Sequence, residues 1–292
     1  MRVLVTGAGG QLGQALAAAA PRGEVVKACT HAELDIAQEA AVRAVFAGFA
    51  PELVINAAAF TRVDDAERNP EEAARANATG PGVLAAACRS AGAWLTHVST
   101  DFVFDGTRSQ PYGTDAAPHP LSVYGRTKLV GEAAVVRELG ARCAVVRASW
   151  LYSASGGFAA RMLTLMRSRP GLRVVSDQVG APTHAAGLAG TLWAISARRA
   201  AGVWHWCDSG VASWYDFAVA IGEEAVRFGL LPVAPPIVPI GTADYPTPAA
   251  RPAYSVLDKR ATEKLLGVTA PHWRLALRAT LAGVGEGGGV AP

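Results

Sequence analysis

The 292-residue sequence predicts a doubly wound α/β fold, a parallel sheet with helices on both faces, carrying a smaller and less regular α/β unit. Three observations predict it. Short apolar runs alternate with helical stretches through the first half of the chain. Those runs are apolar throughout rather than every second residue, as in a parallel sheet covered on both faces. A glycine-rich turn sits where the first strand meets the first helix, where such folds receive phosphate groups.

The expected strands are Arg2–Thr6, Glu24–Ala28, Leu53–Ala59, Trp94–Thr100 and Arg142–Ser149. Between them, helices are expected over Gly10–Ala20, Ala41–Phe49, Glu71–Ala91 and Ser122–Leu139. Beyond Ser149 the rhythm loosens. Gly157–Arg167 and Ser213–Phe228 read as amphipathic helices, and Arg173–Ser176 and Gly202–Cys207 as strands. Leu231–Pro252 holds seven prolines and reads as irregular. The glycine-rich end, 285–292, reads as a flexible tail.

Composition excludes several classes of function. With 51% hydrophobic and 17% charged residues the chain is no disordered polymer. A net charge of +3 gives no reason to expect a nucleic-acid or anionic-membrane partner. Cys29, Cys88, Cys143 and Cys207 are scattered in apolar runs, without the spacing of a zinc site, and read as buried thiols in a reducing compartment. Residues 3–21 lack charge, but Gly7, Gly9, Gly10, Gln11, Gly13 and Gln14 interrupt them, unlike the unbroken core of a secretory signal. Residues 178–197 are also uncharged, and Gln178, Gly180, Pro182, Thr183 and His184 spoil any membrane span. The expectation is a soluble, cytoplasmic protein.

The glycine turn, Thr6-Gly-Ala-Gly-Gly-Gln-Leu-Gly13, reads as GxxGxxG on Gly7, Gly10 and Gly13. The first permits a tight turn, the second lets the backbone approach a pyrophosphate, and the third lets helix pack on strand. With a strand before and a helix after, this is a dinucleotide site. A nucleotide-triphosphate loop is excluded because no Gly-Lys-Ser/Thr follows. The acidic residue that usually ends the second strand and holds the ribose is missing. Cys29-Thr30-His31 stands there, with Lys27 and His31 as nearby bases, which leans toward NADPH over NADH. Asp35-Ile36 follows and is placed to cover the adenine.

Tyr124 and Lys128 form a YxxxK on a predicted helix, where residues four apart share a face. Ser99-Thr100-Asp101 stands at the C-terminal end of the fourth strand, where open α/β sheets place ligands. Together they make a proton-transfer site. The ammonium is expected to lower the phenol's pKa from its usual value near 10, and Thr100 to hold a substrate oxygen.

In this order and spacing the three motifs resemble the extended short-chain dehydrogenase/reductases. Segments 56–67, 99–106, 123–128, 147–152, 177–183 and 245–252 are similar, within them, to the dTDP-4-dehydrorhamnose reductase family; among these are Asp177-Gln-Val-Gly-Ala-Pro-Thr183 and Tyr245-Pro-Thr-Pro-Ala-Ala-Arg-Pro252. The resemblance implies a Rossmann-type fold and reduction of a dTDP-4-keto sugar by NADPH, with NADH as the alternative. It implies that Tyr124 is the general acid, that Lys128 tunes it and binds the nicotinamide ribose, and that Thr100, Asp101 and Trp150 meet the sugar. Gly10, Gln11 and Leu12 would hold the cofactor phosphates, Asp35 and Ile36 the adenosine end, and Ala59, Phe60 and Thr61 its edge after the third strand. Arg251 would clamp the pyrophosphate, since a planar guanidinium suits phosphate oxygens. The implied division is a cofactor domain of 1–150 with segments near 184–209, and a nucleotide-sugar domain of 151–183 and 210–284.

Departures from the family pattern also carry expectations. Ala15 replaces a helix-one glutamate that joins a metal-linked dimer in some members, so no magnesium is expected there and the chain is a monomer or a homodimer. Phe102 stands where a tyrosine is frequent. Asp64, Asp65 and Glu67 read as a solvated helix start rather than a metal cluster, and His97 as a packed residue. Trp204, Trp206 and Trp214 read as core and pocket packing rather than a base-stacking platform. Two other readings stay open: a non-catalytic NADP-binding subunit resembling the regulatory subunit of methionine adenosyltransferase, and a reductase of another dTDP-4-keto deoxysugar.

Overall fold

The apolar runs build one six-stranded sheet. In the computed structural model, which describes residues 1–286, every pairing in it is parallel. In chain order the first part comprises β1 (Arg2–Thr6), α1 (Gln11–Ala18), β2 (Val25–Cys29), α2 (Glu39–Phe49), β3 (Leu53–Asn56), α3 (Val63–Arg68), α4 (Pro70–Ala74), a π-helical turn (Arg75–Thr79), α5 (Gly80–Ala91), β4 (Trp94–Thr100), α6 (Val123–Leu139) and β5 (Cys143–Ala148). The chain continues through β6 (Leu151–Tyr152), α7 (Gly157–Ser168), β7 (Leu172–Val175), β8 (Val179–Gly180), β9 (Thr183–His184), α8 (Ala185–Ala197), β10 (Gly202–Trp206), β11 (Ala212–Ser213), α9 (Trp214–Arg227), β12 (Ile237–Ile240), α10 (Arg260–Leu266) and α11 (Trp273–Glu286).

The main sheet runs β10-β5-β4-β3-β1-β2. Its order reverses beside β1, so a crevice opens at the C-terminal ends of β1 and β3, the topological switch point where open α/β sheets bind ligands. β3 and β5 are buried at every residue, which is why their sequences show no alternation. One apolar cluster joins the sheet to α1 and α8 through Leu12, Leu16, Leu188, Leu192 and Trp193. A second fills the opposite face with Leu84, Val135 and Leu139. Three of the four cysteines lie in that second cluster and Cys207 in a separate one; all four are buried free thiols.

The smaller unit gathers α7, α9 and α11 around Met162, Phe217, Ile221 and Leu277. Around them lie three two-stranded pairs, β7–β12, β8–β11 and β6–β9. α9 starts in a reciprocal cap, Ser213 accepting from the Asp216 N–H at 3.0 Å and donating through its own N–H to the Asp216 carboxylate at 2.9 Å. α8, β10 and α10 return to the main sheet, and Thr262 Oγ1 of α10 donates to the His205 carbonyl at 2.7 Å.

Some expectations fail for identifiable reasons. β3 stops at Asn56, whose side chain accepts from Thr6 Oγ1 at 2.7 Å and from the Ala58 N–H at 3.1 Å, so the Ala58 N–H bonds to a side chain and not to a neighbouring strand. The single helix expected over Glu71–Ala91 is α4, a π turn and α5. Within the turn, Asn77 is fully buried and bonds both sides of the Phe60 peptide, at 2.8 and 3.0 Å. The proline-rich segment is not wholly irregular: Ile237–Ile240 forms β12. Pro239 is tolerated there because a two-stranded pair leaves one edge of each strand unbonded. The flexible tail expected over 285–292 lies, from residue 287 on, outside the described residues; 285 and 286 close α11. Among the described residues no helix is long and apolar enough to cross a membrane.

Asp208, just past β10, is fully buried, and its Oδ2 accepts the His184 N–H at 3.1 Å. Burial raises its pKa from 3.8 to about 6. A folded-state pKa above the unfolded one favours the folded form below about pH 4, and that contribution is lost as pH rises to about 6. Asp208→Asn is therefore expected to leave the melting temperature at pH 4 unchanged and to raise it at pH 8. The gain corresponds to at most about 3 kcal/mol. Equal shifts at the two pH values in scanning calorimetry would exclude ionisation as the cause.

Candidate active site

A cavity of about 880 Å³ occupies the switch point. Its wall is made from the ends of four strands: the glycine turn after β1, Ala57–Ala59 and Thr61 after β3, Ser99–Phe102 at the end of β4, and Ala148–Leu151 at the end of β5. Tyr124 and Lys128 enter from α6, and Trp214 from α9.

The glycine turn is built as its spacing predicts, with one difference. Gly7 has φ +75°, and a Cβ there would lie 2.6 Å from the Ala58 nitrogen, so β1 and the turn after β3 approach too closely for a side chain. Gly13 packs against the Gly7–Ala8 backbone of its own turn, rather than against a strand. Gly10 is the N-cap of α1 and lines the cavity; a Cβ there would meet only the Gly7 carbonyl oxygen, at an ordinary 3.5 Å.

On α6 the side chains are set by a firm helix start, Ser122 Oγ accepting from the Gly125 N–H at 3.1 Å. Lys128 is buried and donates to the Val98 carbonyl at 2.6 Å. Burial lowers its pKa to about 8, against the pull of the Glu132 carboxylate one turn on. Tyr124 does not behave as the sequence suggests. Desolvation pushes its phenol up to about 12, aided by the Asp101 carboxylate and opposed by the Thr100 hydroxyl. The ammonium does not offset this burial, so the phenol keeps its proton near neutral pH. Asp101 is itself buried, and burial raises its pKa to about 6 despite hydroxyls from Ser255 and Thr100.

Behind these groups lies a buried ion pair with no local signal in the sequence. Arg147 of β5 grips Glu132 with two bonds, Nε to Oε1 at 2.9 Å and Nη2 to Oε2 at 2.6 Å. Ser99 Oγ donates to the same carboxylate, and Arg147 lies over the Phe104 ring at 5.2 Å.

Of the residues expected at the site, Gly7, Gly10, Gln11, Leu12, Gly13, Asp35, Ile36, Ala59, Thr61, Thr100, Asp101, Tyr124, Lys128, Trp150 and Arg251 all line this cavity. Phe60 does not. Asn77 pins its backbone, and the ring packs on Ala66 and Ala73 instead. Arg251 is tied to Asp64 by two contacts, at 2.7 and 3.1 Å, and to the Ala249 carbonyl at 3.1 Å. At the adenosine end Lys27 is off the wall, exposed and 6.0 Å from the Phe49 ring, whereas His31 lines it. The cation missed there is Arg75, paired with Asp35. The other carboxylates of that region also have protein partners: Asp65 pairs with Arg62 at 2.9 Å, and Glu67 accepts the Val123 N–H at 2.7 Å. His97 is fully buried and bonded to Asn56 at 3.0 Å. Trp206 is core, and Trp204 donates to the Ala200 carbonyl at 2.9 Å.

A family model described as the RmlD substrate binding domain matches residues 1–285. The chain belongs to this family. A dTDP-4-dehydrorhamnose reductase of Aggregatibacter actinomycetemcomitans is 39% identical, with 95% of this chain and 97% of the relative covered, so the likeness takes in both units. The crystal structure of a dTDP-4-dehydrorhamnose reductase from Clostridium acetobutylicum has a TM-score of 0.90 at 36% identity, covering 97% of this chain and 99% of that one. The Bacillus anthracis reductase, solved in complex with NADP, also has a TM-score of 0.90, at 33% identity, covering 96% of this chain and 98% of that one. These relatives are reductases, and the parallel sheet of this member is the frame it shares with the two solved structures.

Proposed function

We propose that the chain reduces dTDP-4-dehydro-L-rhamnose to dTDP-L-rhamnose with NADPH, as an oxidoreductase of dTDP-rhamnose biosynthesis. One observation carries this reading: Thr100, Tyr124 and Lys128 line the same cavity as the glycine turn. A dinucleotide fits there because Gly10, in the cavity wall, caps the positive end of α1. Gly10, Gln11 and Leu12 would hold the phosphates, Asp35 and Ile36 the adenosine, and Ala59 and Thr61 the edge. When bound, reduced nicotinamide supplies a hydride to C4 of the sugar.

The rest is done by this chain's own groups. The Thr100 hydroxyl holds the C4 oxygen. Tyr124, protonated near neutral pH, delivers its proton to that oxygen as the carbonyl becomes an alcohol. The Lys128 charge steadies the phenolate left behind, which regains a proton from solvent. Asp101 and Trp150 contact the sugar. Arg251, already oriented by Asp64, presents the rim of its guanidinium to the pyrophosphate. Residues 1–150 with 184–209 form the cofactor part, onto which α10 docks, and 151–183 with 210–284 the sugar-nucleotide part. The enzyme works in the cytoplasm, as a monomer or homodimer, without nucleic acid, membrane or resident metal.

The test is NADPH consumption by purified protein given dTDP-4-dehydro-L-rhamnose, run beside other dTDP-4-keto deoxysugars and beside NADH. Turnover fastest with the rhamnose precursor and NADPH is expected. Faster turnover of another sugar would reassign the substrate. NADPH binding without turnover of any sugar would overturn the catalytic reading.

A further inference from the structure

The short helix after β3 carries three carboxylates, Asp64, Asp65 and Glu67. Asp65 serves the helix itself through its pair with Arg62. Asp64 and Glu67, one turn apart, reach out to two other parts of the chain. Asp64 holds the segment 247–251. Its Oδ1 accepts the Ala249 N–H at 3.2 Å and Arg251 Nη1 at 3.1 Å, and its Oδ2 accepts Arg251 Nη2 at 2.7 Å. Thr247 Oγ1 accepts the same Nη1 at 2.5 Å. The bonds to Arg251 hold the Asp64 carboxyl below the usual carboxylate range, so it is charged near neutral pH.

Glu67 holds α6. Val123 is the first residue of that helix, and its N–H has no partner within it. The Glu67 carboxylate accepts this N–H at 2.7 Å, at the positive end of the helix dipole. Tyr124 is the next residue. It packs against the cluster of Phe60, Ala66 and Ala73, and Ala66 belongs to α3. On another side Gly125 lies against the Phe102 carbonyl too closely for a Cβ. The turn that carries the phenol is thus seated on α3 by one polar and one apolar contact.

We infer that α3 is a bracket: Asp64 and Glu67 are positioning residues that fix the Arg251 guanidinium and the Tyr124 phenol relative to one another. This rests on the reading of the cavity given above, with Arg251 on the diphosphate of the sugar nucleotide. Arg251 and Tyr124 line the cavity, whereas Asp64 and Glu67 do not, so each carboxylate acts through the group it holds. A sugar nucleotide gripped by its diphosphate carries its C4 carbonyl at the other end. The spacing from guanidinium to phenol therefore decides whether the proton meets the C4 oxygen. A misplacement of about 1 Å costs on the order of a hundredfold in rate.

The experiment compares wild type with Asp64→Ala, Glu67→Ala and Glu67→Gln. It measures kcat per NADP⁺-binding site counted by calorimetry, KM for the 4-keto sugar nucleotide and for NADPH, and Kd for dTDP. Glu67→Ala is expected to lower kcat about ten- to a hundredfold and to leave both KM values and the dTDP Kd unchanged. Glu67→Gln keeps an oxygen for the Val123 N–H and is expected to recover most of the rate. Asp64→Ala is expected to raise the sugar-nucleotide KM and the dTDP Kd about tenfold, the scale of one freed arginine, with the NADPH KM unchanged. A Glu67→Ala kcat within about twofold of wild type, a Glu67→Gln enzyme as slow as Glu67→Ala, or an Asp64→Ala protein that binds dTDP as wild type does overturns the inference and leaves the activity in place. So do equal changes in kcat and both KM values in the two alanine variants, which mean that α3 is lost as a whole. A wild type that turns over no 4-keto sugar nucleotide overturns the reading of the cavity and the inference with it.

Discussion

Tyr124→Phe is expected to lower kcat by about two to four decades, the usual scale for loss of a positioned general acid, with little change in either KM. The substitution removes only the hydroxyl. The ring keeps its edge contact with Phe102, at 5.6 Å and 73°, so the start of α6 has no reason to move. Lys128 keeps its bond to the Val98 carbonyl, and Thr100 remains to hold the substrate oxygen. What is lost is the proton itself: without it the hydride step must leave an alkoxide on the sugar or draw on water. The phenol's elevated pKa, about 12, agrees with this assignment, because a reductase needs the acid form ready in the resting enzyme. Single-turnover kinetics at saturating NADPH checks the prediction. A Tyr124→Phe enzyme within tenfold of wild type would remove tyrosine from the proton step.

The second large effect is on stability. Glu132→Leu is expected to cost about 3–5 kcal/mol, because it leaves the Arg147 guanidinium buried without its carboxylate. That is a large part of the total for a domain whose net stability is on the order of 5–15 kcal/mol. The double variant Glu132→Leu, Arg147→Met is expected to recover most of it, since removing both charges removes the desolvation cost of each. Urea unfolding of the four proteins of this cycle gives the coupling directly. If the double variant is as unstable as the single, the loss comes from packing and not from charge. A milder change, Glu132→Gln, isolates the electrostatic side. With the carboxylate gone, nothing offsets burial at Lys128, so its pKa falls below about 8 and the alkaline limit of activity moves to lower pH.

How far the sequence reveals this molecule depends on how local the physics is. The glycine turn and YxxxK are legible because each works within a few residues: a turn that forbids a side chain, and one helical turn that aligns two groups. The parallel strands are legible because burial on both faces leaves an apolar run. α8 is not: Leu188, Thr191, Leu192, Trp193 and Ile195 are all buried, so no polar face marks its period. β12 is hidden by Pro239 and the prolines around it, the first of which an edge position excuses. The Glu132–Arg147 pair joins residues 15 apart whose meeting depends on α6 packing across the sheet, and the Asp64–Arg251 pair joins residues 187 apart. Neither separation leaves a trace in local pattern. Arg75 escapes notice for the same reason, and of the two nearby bases His31 reaches the cavity wall while Lys27 does not.

The four cysteines turn the molecule into its own reporter. Each thiol is at most 3% exposed, and burial raises the pKa of every one, so none is available as a thiolate on the folded surface. A thiol reagent can react only through opening of the chain, and the labelling rate therefore counts excursions from the native state. Cys88 of α5 and Cys143 of β5 share a cluster with Val135 and Leu139 of α6, while Cys207 sits with Phe104 and Leu257 between the main sheet and the returning C-terminal segment. Labelling that runs in step at these positions means the two regions open together. Labelling that separates them maps which part lets go first.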